Sequence, residues 1–249
     1  MRRIALAFAC LLGWHAGAPP ASAAAAPLVA DLSSSQIDLT TGFTGARLLL
    51  FGATEHAGDI IVVVRGPESR EVVRRKERIA GIWVNRRSVT FLKAPGFYFD
   101  AGTRPLEAIA SERTLRNLRI GTSRLALPAV DGDEDARAQD YRDALLRLKR
   151  KKGLYGSSPV PIKVLGERLF RVEILFPANV PTGAYTAEIY LFREGRRISV
   201  DRKALSVQRA GAEATIYNFA HQHSAIYGII AIIVALTAGW LAGVIFRKV

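Results

Sequence analysis

The stretch "RLFRVEILFPANVPTGAYTAEIYLFREGRRISV", residues 168–200, decides the fold class. Val172, Ile174 and Phe176 alternate with Arg171 and Glu173, the two-residue period of a half-buried strand. "PANVPTG" then reads as a loop. Tyr185, Ala187, Ile189 and Leu191 share the next strand's inner face, and a hairpin turns at Glu194-Gly195. The Pro-Thr-Gly-x-Tyr run resembles the corner before the sixth strand of immunoglobulin-like sandwiches, where a Tyr ties strand to loop.

These late strands cannot close a sandwich by themselves, so the other sheet must come from residues 27–100. There "ARLLLFGAT", "DIIVVVR", "GIWVN" and "SVTFLKAPGFYF" are short, β-branched or aromatic runs separated by Gly and Pro. Between the two β blocks the composition changes. "RPLEAIASERTLRNLRIG" has Pro105 at the start of a helix and Gly121 past its end. In "DGDEDARAQDYRDALLRLKRKKG", Ala138, Tyr141, Leu145 and Leu148 recur at helical spacing. Acids lead that helix and Arg147 to Lys152 end it, as the helix dipole favours. The expected architecture is therefore mainly β: an immunoglobulin-like sandwich with a helical insertion at about 105–152. Two small β domains flanking a helical linker is the alternative.

The ends of the chain set its address. Residues 1–23 carry Arg2 and Arg3, an apolar run from Ile4 to Trp14 and the small-x-small site Ala21-Ser22-Ala23, the pattern of a cleavable signal peptide. Ser224 to Phe246 are 23 residues without a charge. At about 1.5 Å each they make a helix long enough to cross a bilayer. Arg247 and Lys248 follow, and the last basic residue before the helix is Arg209. Basic residues stay on the cytoplasmic side. Residues 247–249 are thus expected inside, 24–215 as an exported domain in the periplasm, and 216–223 as a juxtamembrane segment. This is a single-pass type I arrangement in the inner membrane.

The formal charge is +13. Setting aside Arg2, Arg3, Arg247 and Lys248 leaves 31 Lys/Arg against 22 Asp/Glu on the exported part, a surplus of nine. Outside the cytoplasm such a surplus points away from nucleic acid and towards anionic headgroups, acidic envelope polymers or an acidic protein. The single cysteine, Cys10, lies in the signal, so the mature chain holds itself together without a disulfide and has no thiolate for redox or metal chemistry.

Candidate sites are few. "ESREVVRRKERIAGIWVNRR" concentrates Arg74, Arg75, Lys76, Arg78, Arg86 and Arg87, a candidate surface for an acidic partner, with Val72 and Val73 expected to face in and "GIWVN" to return to the core. The competing reading is an edge strand protected by its charges. His221 and His223 are candidate metal ligands, but a zinc or copper site needs three or four, and headgroup-level polar residues beside Tyr217 and Tyr227 fit as well. Asp131-x-Asp133-x-Asp135 begins like a calcium loop, yet Ala136 and Arg142 stand where that loop needs Gly and Glu. His56 and Asp59 lie close in sequence without further triad signature. No phosphate loop or nucleophile elbow occurs, so a non-enzymatic protein without a cofactor is expected. Ala231, Ala235, Gly239 and Gly243 form a small-residue face on the anchor, suited to packing against a second copy or another membrane protein.

"VVVRGPESREVVRRKERIAGIWVN", "FLKAPGFYF", "RPLEAI" and "FPANVPTGAYTAEIYLFREG", followed by a C-terminal anchor, resemble a transmembrane protein family of alphaproteobacteria. The resemblance implies an inner-membrane anchor with a periplasmic domain and carries no catalytic residues. It also implies an accessory role beside an integral-membrane transporter, with a sulfite-exporter-type permease as the expected associate. A reporter active only in the cytosol, fused just upstream of Tyr217, is predicted to stay dark in whole cells; a bright fusion would reverse the orientation.

Overall fold

Strands from before and after the helical stretch interleave in the same sheets of the computed structural model, which describes residues 27–130, 136–211, 219–221 and 223–246. The early strands are β1 (Leu28–Leu32), β2 (Gln36–Leu39), β3 (Gly45–Thr54), β4 (Asp59–Arg65), β5 (Glu68–Ile79), β6 (Ile82–Pro95) and β7 (Tyr98–Gly102). The late ones are β8 (Val160–Pro161), β9 (Lys163–Leu165), β10 (Leu169–Pro177), β11 (Gly183–Arg193) and β12 (Arg196–Arg209). The helices are α1 (Leu106–Ile109), α2 (Glu112–Asn117), α3 (Ala136–Lys151) and the C-terminal α4 (Ser224–Phe246). One sheet has the order β1-β3-β10-β9 and a second β2-β12-β11-β4-β7-β8; β5 and β6 form a separate two-stranded ribbon. The protein is mainly β.

The first two sheets face each other across one core. Leu48, Leu50, Val172, Ile174 and Phe176 meet Ile60, Val62, Val64, Tyr185, Ile189 and Leu191 there. Phe97 stacks on Phe176 at 4.8 Å between ring centroids, and the Tyr185 ring lies edge-on to Phe176 at 5.8 Å. The Tyr185 hydroxyl donates to the Pro181 carbonyl at 2.5 Å, so the corner read from the sequence is present. The hairpin at Glu194-Gly195 is present too, with φ of 50° and 76° at its two turn residues and Arg193 opposite Arg196. Both angles are positive, as a two-residue turn between twisted strands requires.

Gly52 shows how tightly the first sheet is built. It sits on β3 opposite Phe170 of β10. A Cβ on it would lie 2.5 Å from the Phe170 ring and 2.5 Å from the Val29 carbonyl. The missing side chain is the space the Phe170 ring occupies.

The second sheet is covered on its other face as well. Ile61, Val63, Tyr98, Tyr190 and Phe192 pack there against Leu106, Ile109, Leu115, Leu145 and Leu154. This second core makes the helical stretch a third layer. Its first part differs from the single helix expected. Ala110, at φ −143° and ψ 154°, breaks it into α1 and α2, and Ser111 caps α2 by accepting from Thr114 N. The buried stripe of α3 also differs: Tyr141, Leu145, Leu146 and Lys149 are buried while Leu148 is 47 % exposed. The stripe is rotated towards Lys149 because that lysine has a carboxylate to meet. The expected signal peptide and the Asp131–Asp135 run lie outside the described residues, as do Arg247 and Lys248.

Tyr185→Phe is expected to cost about 1 kcal/mol, the worth of one hydrogen bond. Gly52→Ala should cost about 1–3 kcal/mol, as overpacking does. Urea unfolding of the two variants, reporting a midpoint shift at constant slope, checks both.

Candidate functional site: a cationic arm and its groove

The ribbon of β5 and β6 is long, two-stranded and closed by the two-residue turn Ala80-Gly81, with φ of 48° and 86°. Positive φ at both turn positions matches the right-handed twist of the strands, but an alanine there carries a steric cost that Gly, Asn or Asp avoids. At its root the ribbon is held well. Val73, Val89, Phe91 and Ala94 join the second core. The segment 128–130 pairs with β6, where Leu92 N donates to Pro128 O at 2.8 Å and Val130 N to Thr90 O at 3.0 Å. Beyond Val73 the support ends. From Arg74 to Ile79 every residue of β5 is exposed except the half-buried Glu77. The outer half is an arm standing off the body.

The arm corrects two expectations. Val72 is 44 % exposed while Val73 is buried, because neighbours on a strand point to opposite faces and the body covers one. Ile82 and Trp83 do not return to the core: they are 68 % and 64 % exposed at the arm's end. Sequence alone shows an apolar run after a turn; it does not show that no layer lies behind it.

One buried ion pair locks the root. Lys149 of α3, its side chain 8 % exposed, donates to the Glu71 carboxylate at 2.7 Å and lies 6.0 Å from the centre of the Tyr155 ring. Burial pushes the Glu71 carboxyl up, but the Lys149 hydrogen bond and charge outweigh it and hold it below the usual range. Between arm and α3 runs a groove of about 540 Å³. Val73 and Tyr141 lie at its bottom, and Arg74, Arg75, Lys76 and Arg147 line it. Asp140 and Asp143 of α3 are the acids on its wall. Among the described residues, Arg74, Arg75 and Lys76 make no ion pair. Arg78 Nε donates to the Gly81 carbonyl at 3.2 Å, tightening the turn. Arg87 stands opposite Arg75 in the ladder, while the Arg86 side chain lies outside what the structure describes. The arrangement holds unneutralised positive charge beside an apolar floor, which suits carboxylate, phosphate or sulfate groups.

The other sequence candidates are not brought together. Asp59 is engaged by Arg104 and by Thr103, the latter donating at 3.1 Å, and the Arg104 hydrogen bond holds its carboxyl low. His56 lies beside Glu55 at 3.8 Å, exposed. Residues 219–221 are helical and His223 N donates to Phe219 O at 2.9 Å, with the two rings 5.6 Å apart. Among the described residues, no three or more His, Cys, Asp or Glu side chains are grouped to hold a metal. Along α4, a Cβ at Gly239 or Gly243 would meet nothing within 4 Å, and Ala231 and Ala235 are exposed, so the small-residue face is open.

Sequence reasoning missed Lys149, Glu71 and Asp100. Asp100 is 4 % exposed on the face of β7 towards the helical layer. Burial raises its carboxyl to about 6, with Arg124 and Arg150 offsetting part of the cost. Its charge in a run of apolar residues was the available signal; only the helical third layer explains the burial.

A three-layered, mainly β body followed by one helix that is long and apolar enough to cross a bilayer defines the class: a β protein with a single C-terminal membrane anchor. The chain belongs to the family described as "Putative transmembrane protein (Alph_Pro_TM)", whose model matches residues 27–248. No curated protein matches it. Family and α4 together support anchoring in a membrane.

Two predictions concern the buried charges. Lys149→Met should cost about 1–2 kcal/mol, because Glu71 is partly exposed and can regain water, and adding Glu71→Gln should recover most of it. Asp100 has its native value raised above the unfolded one, so the folded state binds the extra proton and stability contributed by this group grows as pH falls through about 6. Asp100→Asn should therefore stabilise by about 1–3 kcal/mol at pH 7.5 and much less at pH 5. Denaturant unfolding at the two pH values reads the difference.

Proposed function

We propose that this protein is a single-pass inner-membrane protein whose periplasmic body acts by contact rather than catalysis, holding an acidic segment of a membrane-protein partner in the groove between β5 and α3. The observation that carries this reading is the set Arg74, Arg75 and Lys76. Their charges are unpaired among the described residues, they flank an apolar floor, and the groove is held to α3 by the Lys149–Glu71 pair. A surface that served only to prevent edge pairing would not need a buried ion pair to fix its root.

The orientation rests on the cationic tail Arg247-Lys248 and on the signal-like first 23 residues. The strand orders support an immunoglobulin-like reading, in which β1, β3, β10 and β9 would correspond to strands A, B, E and D, and β12, β11, β4 and β7 to G, F, C and C′. That fold hosts many unrelated functions, so the assignment rests on the groove and not on the fold. The open small-residue face of α4 offers the same partner a packing surface in the bilayer. A transporter, with a sulfite-exporter-type permease as the associate implied by the family resemblance, is the partner class proposed. The second reading, a binding module for acidic envelope polymers, draws on the same cations.

Crosslinking in native membranes followed by affinity capture tests the reading. One integral-membrane protein should be recovered with the parent and lost, at unchanged expression, with the triple variant R74Q/R75Q/K76Q. Equal recovery with both proteins, or recovery of polymer without protein, would overturn it.

A further inference from the structure

The arm's end is apolar and lies beyond the groove, with which it shares the cations behind it. Ile79, Ala80, Gly81, Ile82 and Trp83 form five consecutive uncharged residues at the turn. Ile79, Ile82 and Trp83 are 47 %, 68 % and 64 % exposed. Behind them, residues 74–88 hold six Lys/Arg against the single acid Glu77. The register orders these groups by depth. Ile79 pairs with Ile82 at the tip, Arg78 with Trp83 one rung back, Lys76 with Asn85 three rungs back, and Arg75 with Arg87 behind that. At about 3.3 Å per residue, Lys76 lies about 10 Å behind the tip.

We propose that the arm's tip inserts into the anionic lipid face of the bilayer in which the chain is anchored, with the cations as its headgroup collar. Three observations converge. The first is the charge complementarity: an apolar end followed at headgroup depth by cations is the order in which a bilayer presents hydrocarbon and then phosphate. The second is Trp83 beside Arg78. An indole takes the boundary between hydrocarbon and water, and the Arg78 guanidinium, whose Nε donates to the Gly81 carbonyl, has terminal amino groups to offer a phosphate at that boundary. The third is Ala80. The first position of this turn favours Asn, Asp or Gly, and an alanine held there at φ 48° keeps the tip free of a polar side chain at a conformational cost. A two-stranded ribbon without a covering layer is marginal in water, so the surface it meets also steadies it. The inference rests on membrane anchoring and not on the groove's partner. With the groove on the same arm, tip insertion would set its height above the bilayer.

The test uses the full chain in bilayers. Cys10 is replaced by Ser, and a nitroxide is placed at Ile82→Cys or, as a control, at Glu167→Cys, an exposed position next to Gly166 in the turn between β9 and β10. Collision with oxygen and with a water-soluble nickel chelate is compared in vesicles of phosphatidylcholine alone and with phosphatidylglycerol. The tip label should become oxygen-accessible and nickel-protected in the anionic vesicles, while the control stays in water in both. R74Q/R75Q/K76Q/R78Q should weaken the insertion, each lost cation by about fivefold in surface partition. A tip label that remains in water with anionic lipid would overturn the proposal. So would protection that is equal in both lipids and rises with protein density, which marks a contact between copies. Trp83→Gln, which leaves the groove's cations in place, should weaken tip insertion while the partner is still captured, and this separates the two readings.

Discussion

Ile60 to Val64 are buried on both faces of β4, and the arrangement of the whole body follows from that strand. Ile60, Val62 and Val64 look into the sandwich; Ile61 and Val63 look the other way. A strand apolar on both sides needs a layer on each. The first sheet provides one, and α1, α2, α3 and the root of the ribbon provide the other. The helical stretch is thus what keeps the outer face of β4, β7 and β11 dry.

The same layer imports charge. Arg65 pairs with Glu188 on the outer face of the second sheet and donates to the carbonyls of Leu118 and Arg119, at 2.9 and 3.1 Å, closing the end of α2. Tyr190 and Arg202 donate to the same Glu188 carboxylate, at 2.8 and 3.0 Å. Lys149 and Glu71 do the corresponding work at the ribbon's root. These buried or half-buried charges each have an opposite charge beside them, the condition under which burial of ions is tolerated. Among the described residues Asp100 has arginines near it but no ion pair, and burial raises its carboxyl.

How far sequence could reach differs from element to element. The alternation from Val172 to Phe176 and from Tyr185 to Leu191 stated the inner faces of β10 and β11, because one face is buried and the period is simple. The limits of α4 followed from the uncharged run. Gly81 to Asn85 looked like core because hydrophobicity reports what a residue tolerates, not whether another layer is present. Leu148 was placed in the stripe of α3 for a similar reason: apolar spacing ignores that a lysine is buried when a carboxylate waits for it. The groove itself needed the distance between β5 and α3, which are some seventy residues apart in the chain and joined by no local pattern.

The pairing of β2 with β12 bears on mechanics. Of the last rungs of β12, Ser206 and Val207 pair with β11 on one side, and Ser206 to Arg209 pair in parallel with Gln36 to Leu39 on the other. Tension along the tether would act along these strands and load several hydrogen bonds together, in shear, instead of peeling them one after another. A body tethered through β12 to a membrane anchor is thereby fastened in the direction in which the tether would pull.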